Sequence, residues 1–246
     1  MPLAILPAQA QSPQPKVLHI AAASDLQPVL PTLAAAYEHA TGVKIIASFG
    51  SSATLTEQIE NGAPQDLFLS ADFVHPEKLI ADHLADGKSP TPYAHGILVL
   101  WARKDSPAQP ITLNSLRDPK VTKIAIANQF HAPYGMAAAR ALENLKLTAI
   151  ITPKLVVGEN ISQTAQFAES GNAQLGLISL TIASSPHYRD LGTFVRIPST
   201  TYPPIIQCGV VLKSSKDPAA AHAFLDWLTS KPIQPNLRQY GLDPVP

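Results

Sequence analysis

The chain has a single cysteine, Cys208, in 246 residues, so no internal disulfide can form and cysteine usage leaves the compartment open. It has no excess charge of either sign. Eighteen Lys and Arg balance eighteen Asp and Glu, which excludes a counterion-displacing surface for nucleic acid. No apolar run approaches the roughly 20 residues of a bilayer-spanning helix, so no such span is expected. The catalytic signatures are missing too. There is no G-x-S-x-G elbow, no G-x-x-x-x-G-K-[ST] phosphate loop and no H-E-x-x-H pair. The eight histidines are scattered and form no recognisable metal pair.

What is present is a 46% hydrophobic chain long enough for one large or two smaller domains. Apolar strand-like runs alternate with helical patterns. "VLHIAAAS" leads into "DLQPVLPTLAAAYEHATG", where Leu26, Leu30, Leu33 and Tyr37 fall at helical spacing and Gly42 closes the helix. Pro31 falls a turn inside that pattern, where it is expected to kink the helix or cost a hydrogen bond. "KIIASFGSS" leads into "ATLTEQIENG", and "GILVLWARK" reads as one long strand. Such alternation predicts an α/β fold with largely parallel sheets. Cys208, within "PIIQCGVVL", reads as a buried, inert thiol. The start, "LAILPAQAQS", carries Ala8, Gln9 and Ala10 in the small-x-small pattern of a signal-peptidase site, which points to export.

Four strand ends share one arrangement: small or hydroxyl residues, then a helix. They are Ala23-Ser24, Gly50-Ser51-Ser52, Pro133-Tyr134-Gly135 and Asn160-Ile161. In an open parallel sheet ligands sit beyond the carboxyl ends of the strands. A helix N-terminus there offers unpaired N–H groups and a positive dipole end, and so an anion site. None of the four carries Lys or Arg at its tip. An anion held by neutral donors is gripped by geometry and released without breaking an ion pair. Taken singly, each Ser or Asn reads first as an ordinary helix cap. Asp25 reads as a cap rather than a ligand group, since it would repel an anion.

The stretch from "AAASDLQPVLP" through "SFGSSATLTEQIENGAPQDLFLSAD", followed by "IANQFHAPYGMAAARAL", "LVVGENISQTAQFAESGNAQLGLISL" and "FLDWLTSKPIQPNLRQYGL", resembles the periplasmic molybdate-binding proteins of ABC transporters over about residues 17–242. That resemblance implies a two-lobed periplasmic-binding-protein fold of type II, with two mixed, mostly parallel sheets joined by hinge strands. It implies a first lobe of residues 17–95 and 206–246, a second of 96–205, and a residual signal peptide over 1–16. It implies a monomer that captures molybdate or tungstate, uses no cofactor, and delivers its ligand to a membrane permease.

Residue by residue, Ser24 and Ser52 match the family's hydroxyl and amide donors. Tyr134 and Ile161 match positions that donate backbone N–H. The donors meet the oxygens of the anion, and molybdenum enters only as its centre. Gly50 and Ser51 are expected to shape the turn and lend an N–H. Ser179 stands where many relatives carry a tyrosine whose hydroxyl reaches the ligand, and the "APYG" form points to the Tyr134 side chain as what fills that space. His131 is expected to brace its loop. The alternatives are a sulfate, thiosulfate or phosphate binder and, outside the class, a hydrolase or transferase acting on an oxyanion ester.

Overall fold

The computed structural model describes residues 16–245; the leader expected over residues 1–16 lies, Lys16 apart, outside them. Eleven strands build two mixed sheets among the described residues. They are β1 (Val17–Ala23), β2 (Lys44–Gly50), β3 (Leu67–Ser70), β4 (Thr91–Gly96), β5 (Leu98–Arg103), β6 (Ile124–Ala127), β7 (Leu155–Gly158), β8 (Leu175–Ser179), β9 (Gly192–Arg196), β10 (Ile205–Val211) and β11 (Asp243–Pro244). The first sheet runs β11-β4-β10-β3-β1-β2, and the second β7-β6-β8-β5-β9. The pairs β1–β2, β1–β3, β6–β7 and β6–β8 are parallel, while β10 and β5 run antiparallel to their neighbours.

Helices α1 (Leu30–Thr41), α2 (Ser52–Glu60), α3 (Val74–Ala81), α4 (Pro133–Asn144), α5 (Thr148–Ile151), α6 (Ile161–Glu169), α7 (Leu180–Ala183), α8 (Pro186–Leu191) and α9 (Pro218–Leu228) cover the sheets. Strand periodicity decides which face each residue serves. Leu18, Ile20, Leu67 and Leu69 pack with Leu33 and Phe224 under α1 and α9. Ala21 and Phe68, one residue out of step, pack with Leu55 and Leu79 under α2 and α3. The second sheet has its own core around Trp101, Leu98, Ile124 and Leu177. With both faces covered, the strands read as near-continuous apolar runs.

Three local expectations meet the structure differently. The pattern read as one long first helix divides into a 3₁₀ turn, Ser24–Leu26, and α1 from Leu30. Pro31 therefore occupies the second position of α1, where no N–H is needed, so it neither kinks the helix nor costs a bond. The run "GILVLWARK" also divides: β4 ends in the first sheet at Gly96, and β5 starts in the second at Leu98. Gly42, as expected, caps α1 in the left-handed conformation, φ 74°. Cys208 is fully buried, and burial pushes its thiol up to about 12, so it stays a thiol.

The chain passes between the sheets at Ile97 and returns through residues 197–204. The two passages are stitched together where Leu98 N–H donates to Tyr202 Oη at 3.2 Å. No described helix is long and apolar enough to cross a membrane.

Candidate oxyanion site

The parallel register sets the site. Ala23 lies opposite Gly50, so Ser24 and Ser52 emerge side by side at the carboxyl edge of the first sheet. Ala127 lies opposite Gly158, so the loops before Tyr134 and Ile161 emerge side by side from the second. Hydrogen bonds then bring the edges face to face. Ala53 N–H donates to His131 O at 3.2 Å. Ser162 Oγ donates to Ser24 O at 2.9 Å and lies 3.0 Å from Gln27 Oε1. Tyr134 Oη donates to Asp25 Oδ2 at 3.2 Å. All four expected donor residues are brought into this contact zone and are buried: Ser24 4%, Ser52 0%, Tyr134 1% and Ile161 3% exposed.

The first backbone N–H groups of a helix have no intrahelical partner, so each must be accounted for. In α2, Thr54 N–H bonds Ser51 Oγ at 3.1 Å and Ala53 N–H bonds His131 O, which leaves the N–H of Ser52. In α6, Gln163 N–H bonds Asn160 Oδ1 at 3.0 Å and Thr164 N–H bonds Asn160 O, which leaves Ile161 and Ser162. In α4, Pro133 has no N–H and Met136 N–H bonds Ala132 O, which leaves Tyr134 and Gly135. The Ser52 hydroxyl accepts from Ala71 N–H at 3.2 Å, so its own proton is free to donate. Ser24 Oγ makes no side-chain hydrogen bond among the described residues. The result is a set of neutral donor residues at the contact between the two sheets, none of them a cation. Such a set can surround an oxyanion. Among the described residues no cluster of three His, Cys, Asp or Glu could hold a metal ion.

The secondary candidates separate from these. Ser51 is the cap of α2, its hydroxyl 2.7 Å from Thr54 Oγ1. Ser179 caps α7, bonding Ile182 N–H at 3.4 Å and lying 2.8 Å from Thr181 Oγ1. Both hydroxyls are engaged within their own helices, each accepting an N–H and paired with a threonine hydroxyl. Gly50 ends β2 against the Leu55 side chain and has only a backbone to lend. The Tyr134 ring does not substitute for a ligand-reaching tyrosine either. Its hydroxyl is bound by Asp25 and by Gln207 Nε2 at 3.1 Å. Asp25 is not a cap, contrary to expectation: it caps no helix and reaches across to Tyr134 and Gln207, whose Nε2 lies 2.5 Å from Oδ2. Burial raises its carboxyl to about 7, and those two hydrogen bonds only partly offset the rise. His131 bonds Glu159 at 2.8 Å and Asn128 at 3.3 Å, tying the 128–133 loop to the end of β7.

Sequence reading missed Ser162, the His131 carbonyl and Gln207. No local pattern marks them, because each acts on a partner more than 70 residues away.

One glycine sets the position of a donor. A Cβ on Gly135 would lie 2.4 Å from Ala127 O and 2.6 Å from Asn128 O, both backbone atoms. Gly135→Ala must therefore lift the mouth of α4, and Tyr134 N–H with it, off the tip of β6. We expect a stability loss of about 1–3 kcal/mol, read as a melting point lower by several degrees, together with weaker ligand binding. A variant melting like the parent would mean that α4 has slack at this contact.

The family model described as bacterial extracellular solute-binding protein matches residues 18–243. The chain is 35% identical over 228 residues to the molybdate-binding protein ModA of Azotobacter vinelandii, covering 91% of this chain and 88% of that one. It is 34% identical to the ModA of Rhodobacter capsulatus, covering 85% and 81%. The solved structure of the Azotobacter vinelandii periplasmic molybdate-binding protein superposes with a TM-score of 0.85 at 31% identity, covering 93% of this chain and 99% of that one.

Proposed function

The chain belongs to the bacterial extracellular solute-binding protein family, and on that premise we propose that it captures molybdate, with tungstate as an equivalent ligand, outside the cytoplasm. Its relatives are binding proteins of transport systems rather than enzymes. The observation that carries the reading is the convergence of Ser24, Ser52, Tyr134 and Ile161. These four buried, neutral donor residues come from two sheets, and among the described residues none is hydrogen-bonded to a Lys or Arg side chain.

Each sheet supplies half of the donors, so a bound oxyanion bonds both halves at once and favours the closed arrangement. We take the halves as lobes of residues 17–95 with 206–246, and 96–205, moving about the passages at Ile97 and 197–204. The closed form is what a membrane permease of an ABC transporter would read, with the binding protein acting as an exported monomer. Donors without charge hold the ligand firmly only while water is excluded, so opening at the permease releases it without an ion pair to break.

A set of donors fixed by helix ends discriminates by cavity size. Molybdate and tungstate are nearly equal in size and sulfate is smaller. Calorimetry should give molybdate and tungstate affinities within a few-fold of each other, and sulfate weaker by roughly two orders of magnitude. Equal affinity for sulfate, thiosulfate or phosphate would move the assignment to those anions within the same class. Sustained turnover of a sulfate or phosphate ester, lost in His131→Ala, would replace it by an enzyme.

A further inference from the structure

Asp25, Tyr134 and Gln207 form a wholly buried cluster that draws on the 3₁₀ turn after β1, the mouth of α4 and strand β10. The cluster spans both sheets, so opening the protein would break it. Its hydrogen bonds are unbalanced. The Tyr134 hydroxyl and the Gln207 amide both donate to Oδ2 of Asp25, while Oδ1 and Gln207 Oε1 have no partner among the described residues. An ionised carboxylate with a bare oxygen in the interior is costly, whereas a neutral carboxyl is much less so.

Among the described residues no Lys, Arg or His is hydrogen-bonded to the cluster. The titratable groups facing the cluster are Tyr134 from α4, Tyr93 from β4 and Cys208 beside Gln207. Asp72, beyond β3, adds further negative charge and is paired with His75 at 2.7 Å. Helix α7 brings no titratable residue to the turn. Those of α6 and β2, Glu169 and Lys44, lie at the far ends of their elements.

We infer that closure around an oxyanion is accompanied by uptake of one proton on Asp25, so that capture is proton-linked. This rests on the oxyanion-binding reading above and adds to it a co-substrate, the proton. Opening would expose Asp25 to water and return it to the ordinary carboxylate range. In the closed form burial lifts it to about 7, and a dianion held beside Ser24 pushes in the same direction. The closed form thus binds more protons than the open one. Its advantage is complete below the ordinary carboxylate range, falls as pH rises toward 7, and is gone above about 8.

The test is calorimetry of the full chain with micromolar molybdate at several pH values, each in two buffers of different ionisation heat. At pH 6 close to one proton should be taken up per ion bound, and at pH 8.5 almost none. The dissociation constant should rise about tenfold from pH 6 to pH 8 and then level off. Asp25→Asn should still bind but lose both the proton uptake and the pH slope. Tyr134→Phe removes a bond that favours the charged carboxylate, so its slope should extend to higher pH. Tight binding by the parent at pH 6 with buffer-independent heats would overturn the inference and leave the molybdate reading standing. Absence of molybdate binding at every pH would overturn that reading and the inference with it. If Asp25→Asn does not fold, the parent's proton count decides alone.

Discussion

Ser52→Ala should weaken molybdate binding by about 1.5–3 kcal/mol, roughly 10- to 150-fold. The hydroxyl accepts from Ala71 N–H, so its own proton is left to donate to a ligand. The same substitution leaves the Ala71 N–H, in a buried position, without an acceptor. A stability loss of about 1–3 kcal/mol should accompany the loss of affinity. Ser24→Ala should separate the two effects. Its hydroxyl serves no other described residue, so affinity should fall by a similar amount while the melting point stays put.

Ile161 supplies the contrast. Ile161→Val should change little, because the side chain donates nothing. Ile161→Pro should cost more than either serine, since it deletes the N–H and places a ring carbon where the anion oxygen would sit. The backbone accepts this proline. Position 161 is the first of α6, and Asn160 before it is already extended at φ −142°, ψ 178°. The measurements are calorimetric titration with molybdate and a thermal melt for each variant. Wild-type affinity in both serine variants would make Ser24 and Ser52 ordinary helix-end residues and place any ligand elsewhere.

Gly96→Ala should be nearly as damaging, at a residue that touches no ligand. Its Cβ would lie 2.3 Å from Tyr134 Oη and 2.9 Å from Ile205 Cγ2. The tyrosine cannot step aside without leaving Asp25 and Gln207. Ile205 is the register partner of Gly96 across β4 and β10, and is equally held. The contact exists because α4 from the second sheet lies over the passage between the sheets, so the added methyl acts as a wedge against closure. Overpacking of this kind costs about 1–3 kcal/mol. It should appear as a 10- to 100-fold loss of affinity, with each half still folded. Small-angle scattering should show the parent contracting with molybdate and the variant remaining extended. Parent-like affinity in Gly96→Ala would show that closure does not need the Tyr134 hydroxyl against the hinge.

How much of this could be read from the chain follows the range of the interaction. Gly42 as the stop of α1 and Asn160 as the cap of α6 are bonds within four residues, and their residue types announce them. The alternation of strands and helices, and with it the α/β class, is equally local, because periodicity is a property of a few consecutive side chains. The four helix mouths were visible for the same reason.

Which of their hydroxyls is free was not visible. Ser51 and Ser52 are chemically identical neighbours, yet one caps its own helix and the other receives Ala71 from the adjacent strand. Asp25 reads locally as a cap, and becomes a buried carboxyl only because Gln207, 182 residues on, lies across from it. Gly96 reads as part of a strand until α4 is packed over it. By itself the sequence determined the elements, their caps and the neutral, hydroxyl-rich character of the strand ends, since those depend on backbone preferences over one or two turns. The tertiary structure decided which donors remain unpaired and which carboxyl is buried, because a hydrogen-bond partner or a lost water shell is settled only when distant segments meet.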